Sequence, residues 1–351
     1  MGKITRRIFL GLGVAAAGGL AVGWHYVTKV HPNPLAGGAD PTLNPWLTIS
    51  PEGEITVIVP RAEMGQGVHT TLAAMVAEEL GVDLADVTVD HGPPGAAYFN
   101  GAMLAEAGEA PAWDDGWAAT MTRKAGGVGA KILGLQATGG STSTVDAWKK
   151  MRMAGAAARI ALLEAAAEDM GASVDALHVE GRAVVHDDGR RLGFGALAVA
   201  AAARAPVQSP ALTPPANWRI LGKPQKRVDL RPKVTGAPIY GIDVELPQML
   251  HGTVAMSPVF GARAKSADRD AALAVPGVIK VVELTTQTGS GFGILATSTW
   301  AAFKGAEALA PDWGAPAYPA NTEAQFDALA AALDKERADG GFEMGVTGDA
   351  P

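Results

Sequence analysis

The sequence predicts an α+β fold in two globular regions, and three observations carry that expectation. Residues 55–80 read as a strand, a glycine turn and an amphipathic helix in immediate succession. Pro206, Pro210, Pro214 and Pro215 fall within ten residues, a density that forces extended backbone and marks a boundary linker over 206–217. Before that boundary, residues 46–205 alternate strands with long helical runs. After it, residues 218–315 are built from short apolar strands, Pro/Gly turns and one small helix near 268–274, the pattern of a separate α+β domain.

Composition narrows the function. The 351 residues suggest two or three domains at roughly 100–200 residues each, and an apolar fraction of 48% is enough for real cores. With a net charge of −7 and no basic patch above the acidic background, a nucleic-acid partner is excluded. The basic clusters at 149–152 and 223–231 read as solvated faces or loops. No cysteine is present, so disulfides, Cys-ligated zinc, iron–sulfur clusters and covalently attached haem are excluded on this chain. Any redox reaction here must send its electrons to a different polypeptide. The seven histidines are scattered without an HExxH pairing, so no protein-ligated metal is expected.

In chain order, residues 1–27 join a short basic region to an uncharged run, and Thr5-Arg6-Arg7-Ile8-Phe9-Leu10 resembles the twin-arginine export signature. Export to the periplasm is therefore expected. No clean A-x-A site comes after the run, so the segment is either removed or kept as a membrane anchor. Residues 28–45, with Pro32, Pro34, Gly37, Gly38, Pro41 and Pro45, read as a linker. A hairpin of 46–50 and 54–59 leads into the strand-turn-helix, where Ile55, Val57 and Val59 alternate and Leu72, Met75, Val76 and Leu80 keep one helical face.

Between them lies Gly65-Gln66-Gly67. The first turn of a helix leaves N–H groups unpaired at the positive end of the dipole, so this turn is either an anion cradle or a plain tight turn. Next come a strand at 87–91 and a loop-rich excursion over 92–140 with one helix near 117–124. Thr138-Gly139-Gly140-Ser141-Thr142-Ser143-Thr144 then precedes an alanine-rich helix at 145–170. Its hydroxyls serve either as caps alone or as a second cradle for a phosphate-like group, and the consecutive hydroxyls of residues 141–144 exceed what one cap requires. A hairpin at 177–179 and 183–186 and a helix at 194–203 complete the first region. Beyond 218, a strand at 294–296 and a helix at 299–309 are expected. The tail, 316–351, holds one more helix opening at Thr322, with Gln325 in capping-box spacing.

Three strings carry a family resemblance. EMGQGVHT at 63–70, leading into AAMVAEEL, resembles the second molybdopterin-contacting motif of the xanthine dehydrogenase and aldehyde oxidase large subunits. TGGSTST with the helix MRMAGAAAR, and LGKPQKRVDLRPKVTG with YGIDVELPQMLHG, resemble the branch represented by the isoquinoline 1-oxidoreductase β subunit and exported bacterial aldehyde dehydrogenases. The resemblance implies a molybdopterin-binding segment at 46–205 and then an a/b hammerhead domain at 218–315. It implies a molybdenum–molybdopterin cofactor, plain or as the cytosine dinucleotide. Met64, Gly65, Gln66, Gly67, His69 and Thr70 would form one wall, with Gln66 bonding the pterin or its dithiolene edge and His69 equally readable as helix packing. Gly139, Gly140, Ser141, Thr142, Ser143 and Thr144 would hold the phosphate or cytosine end.

The implied reaction is hydroxylation of an aldehyde or N-heterocycle with oxygen from water. Electrons would pass to a [2Fe–2S] small subunit, with a c-type cytochrome subunit as a further partner. The family's late Gly-x-Gly-Glu motif, whose glutamate is the general base, does not occur in these residues. The resemblance is therefore to the N-terminal portion only. It leaves no catalytic residue on this chain, assigns the C-terminal catalytic half to another polypeptide, and implies inactivity alone. The rival reading is a non-catalytic exported module that binds cofactor or a partner. A P-loop enzyme is excluded because no GxxxxGK[ST] motif occurs.

Overall fold

A computed structural model describes residues 28, 30–106, 113–287, 289–316, 318, 319 and 321–338. The expected export signal at 1–27 and the tail beyond 338 lie outside the described residues. The chain forms two compact units, Met1–Pro238 and Ile239–Pro351.

The first unit opens with β1 (Thr42–Asn44), β2 (Leu47–Ile49) and β3 (Ile55–Ile58), each antiparallel to the next. Helix α1 (Val68–Leu80) then carries the chain over to β4 (Val87–Asp90), which pairs parallel with β3 in the sheet order β1-β2-β3-β4. The sequence explains the parallel step, since two parallel neighbours need a long crossover and an amphipathic helix supplies it. The short helix α2 (Ala102–Ala105), α3 (Trp117–Leu133) and the long α4 (Ser143–Met170) succeed it. Next come a three-stranded antiparallel sheet of β5 (Leu177–Glu180), β6 (Ala183–His186) and β7 (Arg191–Gly193), then α5 (Phe194–Ala202) and α6 (Leu230–Thr235).

The core gathers Leu47, Ile55 and Val57 from the sheet, Leu72 and Met75 from α1, Met151 and Leu162 from α4, and Phe194 from α5. The packing of α1 on α4 is close. A β-carbon on Gly155 would stand 2.5 Å from the Val76 carbonyl oxygen, so only glycine fits that crossing. Helix α3 runs nine residues past its expected end, through glycines that read as breakers. Gly126 is a packing site, where a β-carbon would come within 2.4 Å of the Leu104 carbonyl of α2.

Two adjacent glutamates near the end of α1 tie down the proline-rich stretch and the segment after it. Glu78 accepts hydrogen bonds from the N–H groups of Arg219, Ile220 and Leu221 at 2.9, 2.7 and 2.9 Å. Burial pushes its carboxyl up, but those donors outweigh burial and hold it below the ordinary glutamate value. Glu79, with no side-chain exposure, pairs with Arg152 of α4 at 2.6 Å and accepts from the Thr213 N–H at 2.8 Å. Arg152 in turn donates to the Thr213 carbonyl and lies over the Trp148 and Trp218 rings. Residues 218–238, which the sequence places with the second region, thus belong to the first unit.

The second unit contains β8 (His251–Met256), β9 (Ala264–Ser266), α7 (Arg269–Ala274), β10 (Val278–Thr286), β11 (Gly289–Ala296), α8 (Thr299–Ala308), β12 (Asp312–Trp313) and α9 (Thr322–Ala338). Its main sheet is antiparallel in the order β10-β11-β8, and β12 pairs with β9. Ala272, Phe292, Ile294 and Leu309 form its core. Strand β11 begins five residues before the expected 294, because Gly289, Gly291 and Gly293 hide its alternation. Gly291 is required there, since a β-carbon would meet the Ala255 carbonyl at 2.4 Å. The cap of α9 is Asn321, whose side-chain oxygen accepts from the Ala324 N–H at 2.8 Å, one residue before the expected Thr322. No helix among the described residues is long and apolar enough to cross a membrane.

Replacing Glu79 with alanine would strand the Arg152 guanidinium in the core. Urea unfolding of the purified chain should then show a loss of about 3–5 kcal/mol, and a loss under about 1 kcal/mol would refute the structural role assigned to the pair.

Candidate functional site

The chain leaves β3 through Pro60 and Arg61 and reaches α1 by the loop 61–67. Arg61 is buried to 2% exposure and its guanidinium donates to three acceptors, the Pro60 carbonyl at 2.8 Å, the Tyr98 carbonyl at 3.0 Å and the Asp146 carboxylate at 2.9 Å. Asp146 stands in the first turn of α4. It also accepts from the Gly101 N–H at 2.7 Å and from Lys150 at 2.8 Å. Burial lowers Arg61 below its ordinary value and Asp146 pulls the other way; an arginine so held keeps its charge. This ion pair joins the chain just before one predicted wall to the chain just after the other.

The loop itself carries an anion. Glu63, 5% exposed at the side chain, accepts from the N–H groups of Gly65 at 2.8 Å, Gly67 at 3.1 Å and His69 at 3.1 Å. Its carboxylate therefore occupies the positive end of α1, the place where the sequence suggests a ligand cradle. Arg227 closes the arrangement from far along the chain, donating to Glu63 at 3.0 Å and to the Gly65 carbonyl at 2.7 Å, and Asp229 holds Arg227 at 2.8 Å. Burial pushes the Glu63 carboxyl up, while Gly67, His69, Gly65 and Arg227 outweigh it and set it below the ordinary glutamate value.

Gln66 is exposed and turned back on its own loop, donating to the Ala62 carbonyl at 2.8 Å and accepting from the Met64 N–H at 2.6 Å. Gly65 and Gly67 have φ of 101° and 86°, which is why glycine stands at both, and no atom lies within 4 Å of the β-carbon either one lacks.

The hydroxyl run meets this loop across one cleft of about 410 Å³. Met64, Gln66, Val68 and Thr71 line one side, and Thr138, Gly139, Gly140, Ser141, Ser143 and Thr144 line the other. Thr138 bridges the two, its hydroxyl oxygen accepting from the Ala62 N–H at 2.9 Å. Gly140 and Ser141 both have φ of 58°, and for serine this left-handed conformation stores strain of about 1–2 kcal/mol. No side chain caps α4, so its first-turn N–H groups lack a side-chain acceptor, and Ser143 and Thr144 of that turn line the cleft. The lining contains no charged side chain.

Seven of the twelve expected site residues thus share the cleft: Met64, Gln66, Gly139, Gly140, Ser141, Ser143 and Thr144. The others face elsewhere. Thr70 is buried and accepts from the Val228 N–H. Thr142 is buried, donating to the Gly139 carbonyl and accepting from Asn100. Gly65 and Gly67 shape the turn. The His69 ring packs edge-on against His91 at 4.5 Å; burial and then His91 lower its pKa, and its Nε2 is buried without a partner. Sequence reasoning missed Arg61, Glu63, Asp146 and Arg227. Glu63 had a readable signal, an acid just before a helix. The two arginines had none, because the carboxylates they reach across the fold, Asp146 and Glu63, are distant in sequence. Among the described residues no cluster of three or more potential ligands could hold a metal ion.

Because Glu63 is lowered on folding, its contribution is complete above the unfolded value of roughly 4.3 and is lost as pH falls through the folded one. Amide hydrogen exchange should therefore show Gly65, Gly67 and His69 losing protection in acid, and Glu63→Gln should raise their exchange about tenfold at neutral pH. Unchanged protection in that variant would contradict the carboxylate's capping role.

A family model and several known proteins resemble this chain. A family model described as a molybdopterin cofactor-binding domain matches residues 14–102. The chain is 30% identical over 291 residues to a membrane-bound aldehyde dehydrogenase of Gluconacetobacter polyoxogenes, whose name carries pyrroloquinoline quinone, covering 80% of this chain and 33% of that protein. It is 29% identical over 317 residues to the β subunit of isoquinoline 1-oxidoreductase from Brevundimonas diminuta, covering 81% and 36%. It is 26% identical over 294 residues to a nicotinate dehydrogenase subunit of Pseudomonas putida, covering 80% and 22%. The chain therefore spans between about a fifth and a third of the length of these relatives. By the family model over its first part and by these relatives over four fifths of its length, the chain is similar to molybdopterin-binding subunits of the xanthine dehydrogenase family.

Proposed function

We propose that this chain forms the N-terminal, cofactor-holding part of a molybdenum hydroxylase large subunit acting on an aldehyde or an N-heterocycle. The observation that carries the reading is the convergence of residues 64–71 and 138–144 on one cleft. When bound, the molybdenum–pterin group supplies two-electron oxidation with oxygen from water. The chain's residues would hold it. With Glu63 filling the end of α1, the free helix end is that of α4, so the anionic end of the cofactor, a phosphate or the cytosine dinucleotide, belongs with Ser143, Thr144 and the Gly140-Ser141 turn. Gln66 faces the same cleft and can exchange its internal bonds for pterin edges. Met64 and Val68 supply the apolar side.

On this reading the general base lies in the part of the relatives' length that these residues do not span, and the [2Fe–2S] and cytochrome partners are separate subunits. The three-stranded antiparallel sheet and two small helices of Ile239–Pro351 support an a/b hammerhead there. Residues 5–10 support twin-arginine export to the periplasm, and the membrane-bound relative favours retention of the leader as an anchor.

A second reading has one observation behind it, the quinone in that relative's name. Pyrroloquinoline quinone carries three carboxylates, and a cleft lined without a single cationic side chain offers them no charge partner.

The test is co-expression with a polypeptide matching the remaining length of the relatives, and then metal, pterin and quinone analysis of the purified complex. About one molybdenum per complex is expected. The variant Gly140→Val, which puts a β-branched side chain at φ 58° beside the cleft, should lower molybdenum and pterin content about tenfold. Quinone in place of molybdenum, or full molybdenum in the variant, would overturn the assignment.

A further inference from the structure

The second unit has a pocket that the cofactor reading leaves unused. It measures about 250 Å³ and lies where β9 and the segment leading into α7 cross one face of the β10–β11 ladder. Glu283 pairs with Phe292 across that ladder and Thr285 with Ser290, so these side chains share a face by register. Arg263, just before β9, and Lys265 within it also line the pocket, two residues and roughly 7 Å apart along the chain. Arg269 closes the end, ion-paired to Glu283 and lying over the Phe292 ring with 5.7 Å to its centroid. The Ser290 hydroxyl accepts from the Ala264 N–H at 3.4 Å, tying β9 to the ladder.

The charge balance is what singles this pocket out. Three cations meet one carboxylate in its lining, in a chain whose formal charge is −7. The carboxylate already serves Arg269, whereas Arg263 and Lys265 have no ion-pair partner among the described residues. Hydroxyl donors at Ser266, Thr285 and Ser290 complete a lining suited to oxygen anions. The volume admits a small molecule and no polymer.

We propose that this pocket binds a small organic dianion, a phosphate monoester or a dicarboxylate, between Arg263 and Lys265, with Arg269 as the fixed wall. A compact anion fits a forked guanidinium on one side and a mobile ammonium on the other. Binding should weaken with salt, because both cations are exposed.

The experiment titrates inorganic phosphate, and separately succinate, into the full chain at low ionic strength, with chloride at matched ionic strength as control and calorimetry or amide shifts as readout. Saturable binding in the millimolar range is expected for at least one dianion and for chloride not at all, and the stronger of the two identifies the ligand class. Arg263→Gln combined with Lys265→Gln should weaken it at least about tenfold, and both positions are exposed and unpaired, so the fold is retained. Glu283→Gln should tighten it several-fold by removing the one anion. Indistinguishable titrations of dianion and chloride, or unaltered affinity in the double variant, would overturn the proposal.

Discussion

The ion pair between Arg61 and Asp146 is the constraint on which the cleft depends. It joins the last turn out of the sheet to the first turn of the long helix, and both partners are almost wholly out of water. A buried pair of this kind adds little net stability over an apolar substitute, so its contribution is register. Once the guanidinium is engaged by Asp146 and the carbonyls of Pro60 and Tyr98, the loop over residues 61–67 can leave the sheet in one direction only. Gly101 and Lys150 complete the coordination of Asp146, so the loop-rich excursion is anchored to the same point.

Three carboxylates on or beside α1 repeat one device at different places. Glu63 gathers N–H groups at the start of the helix, and Glu78 and Glu79 gather them from distant chain near its end. In each case a fixed anion substitutes for the regular pairing that irregular backbone lacks. The segment around residues 213–228 has little regular structure, yet it keeps a defined path because carboxylates from the core specify it.

Much of this was legible in the residues. Alternation at Ile55 and Val57 and the helical spacing of Leu72, Met75 and Val76 gave β3 and α1 nearly to the residue, and the Ser/Thr run announced α4. Gly126 and Gly291 misled because a glycine that breaks a pattern and a glycine that admits a neighbouring backbone look alike until the neighbour is in place. Strand β7 is too short to show a period. At the site, the two segments were visible but their meeting was not. Arg227 lies 164 positions from Glu63, and only the fold makes them partners.

Gln66 enters the cleft with both ends of its amide already engaged by its own loop. Any ligand that takes it must replace those bonds one for one, so the exchange is close to neutral in free energy and contributes little to tightness. A molecule offering the wrong donor and acceptor order would leave the amide or the loop unsatisfied, at a cost several times larger than the gain from a match. On the proposed reading the residue would discriminate between ligands of similar shape, while the hydroxyls across the cleft would supply the hold.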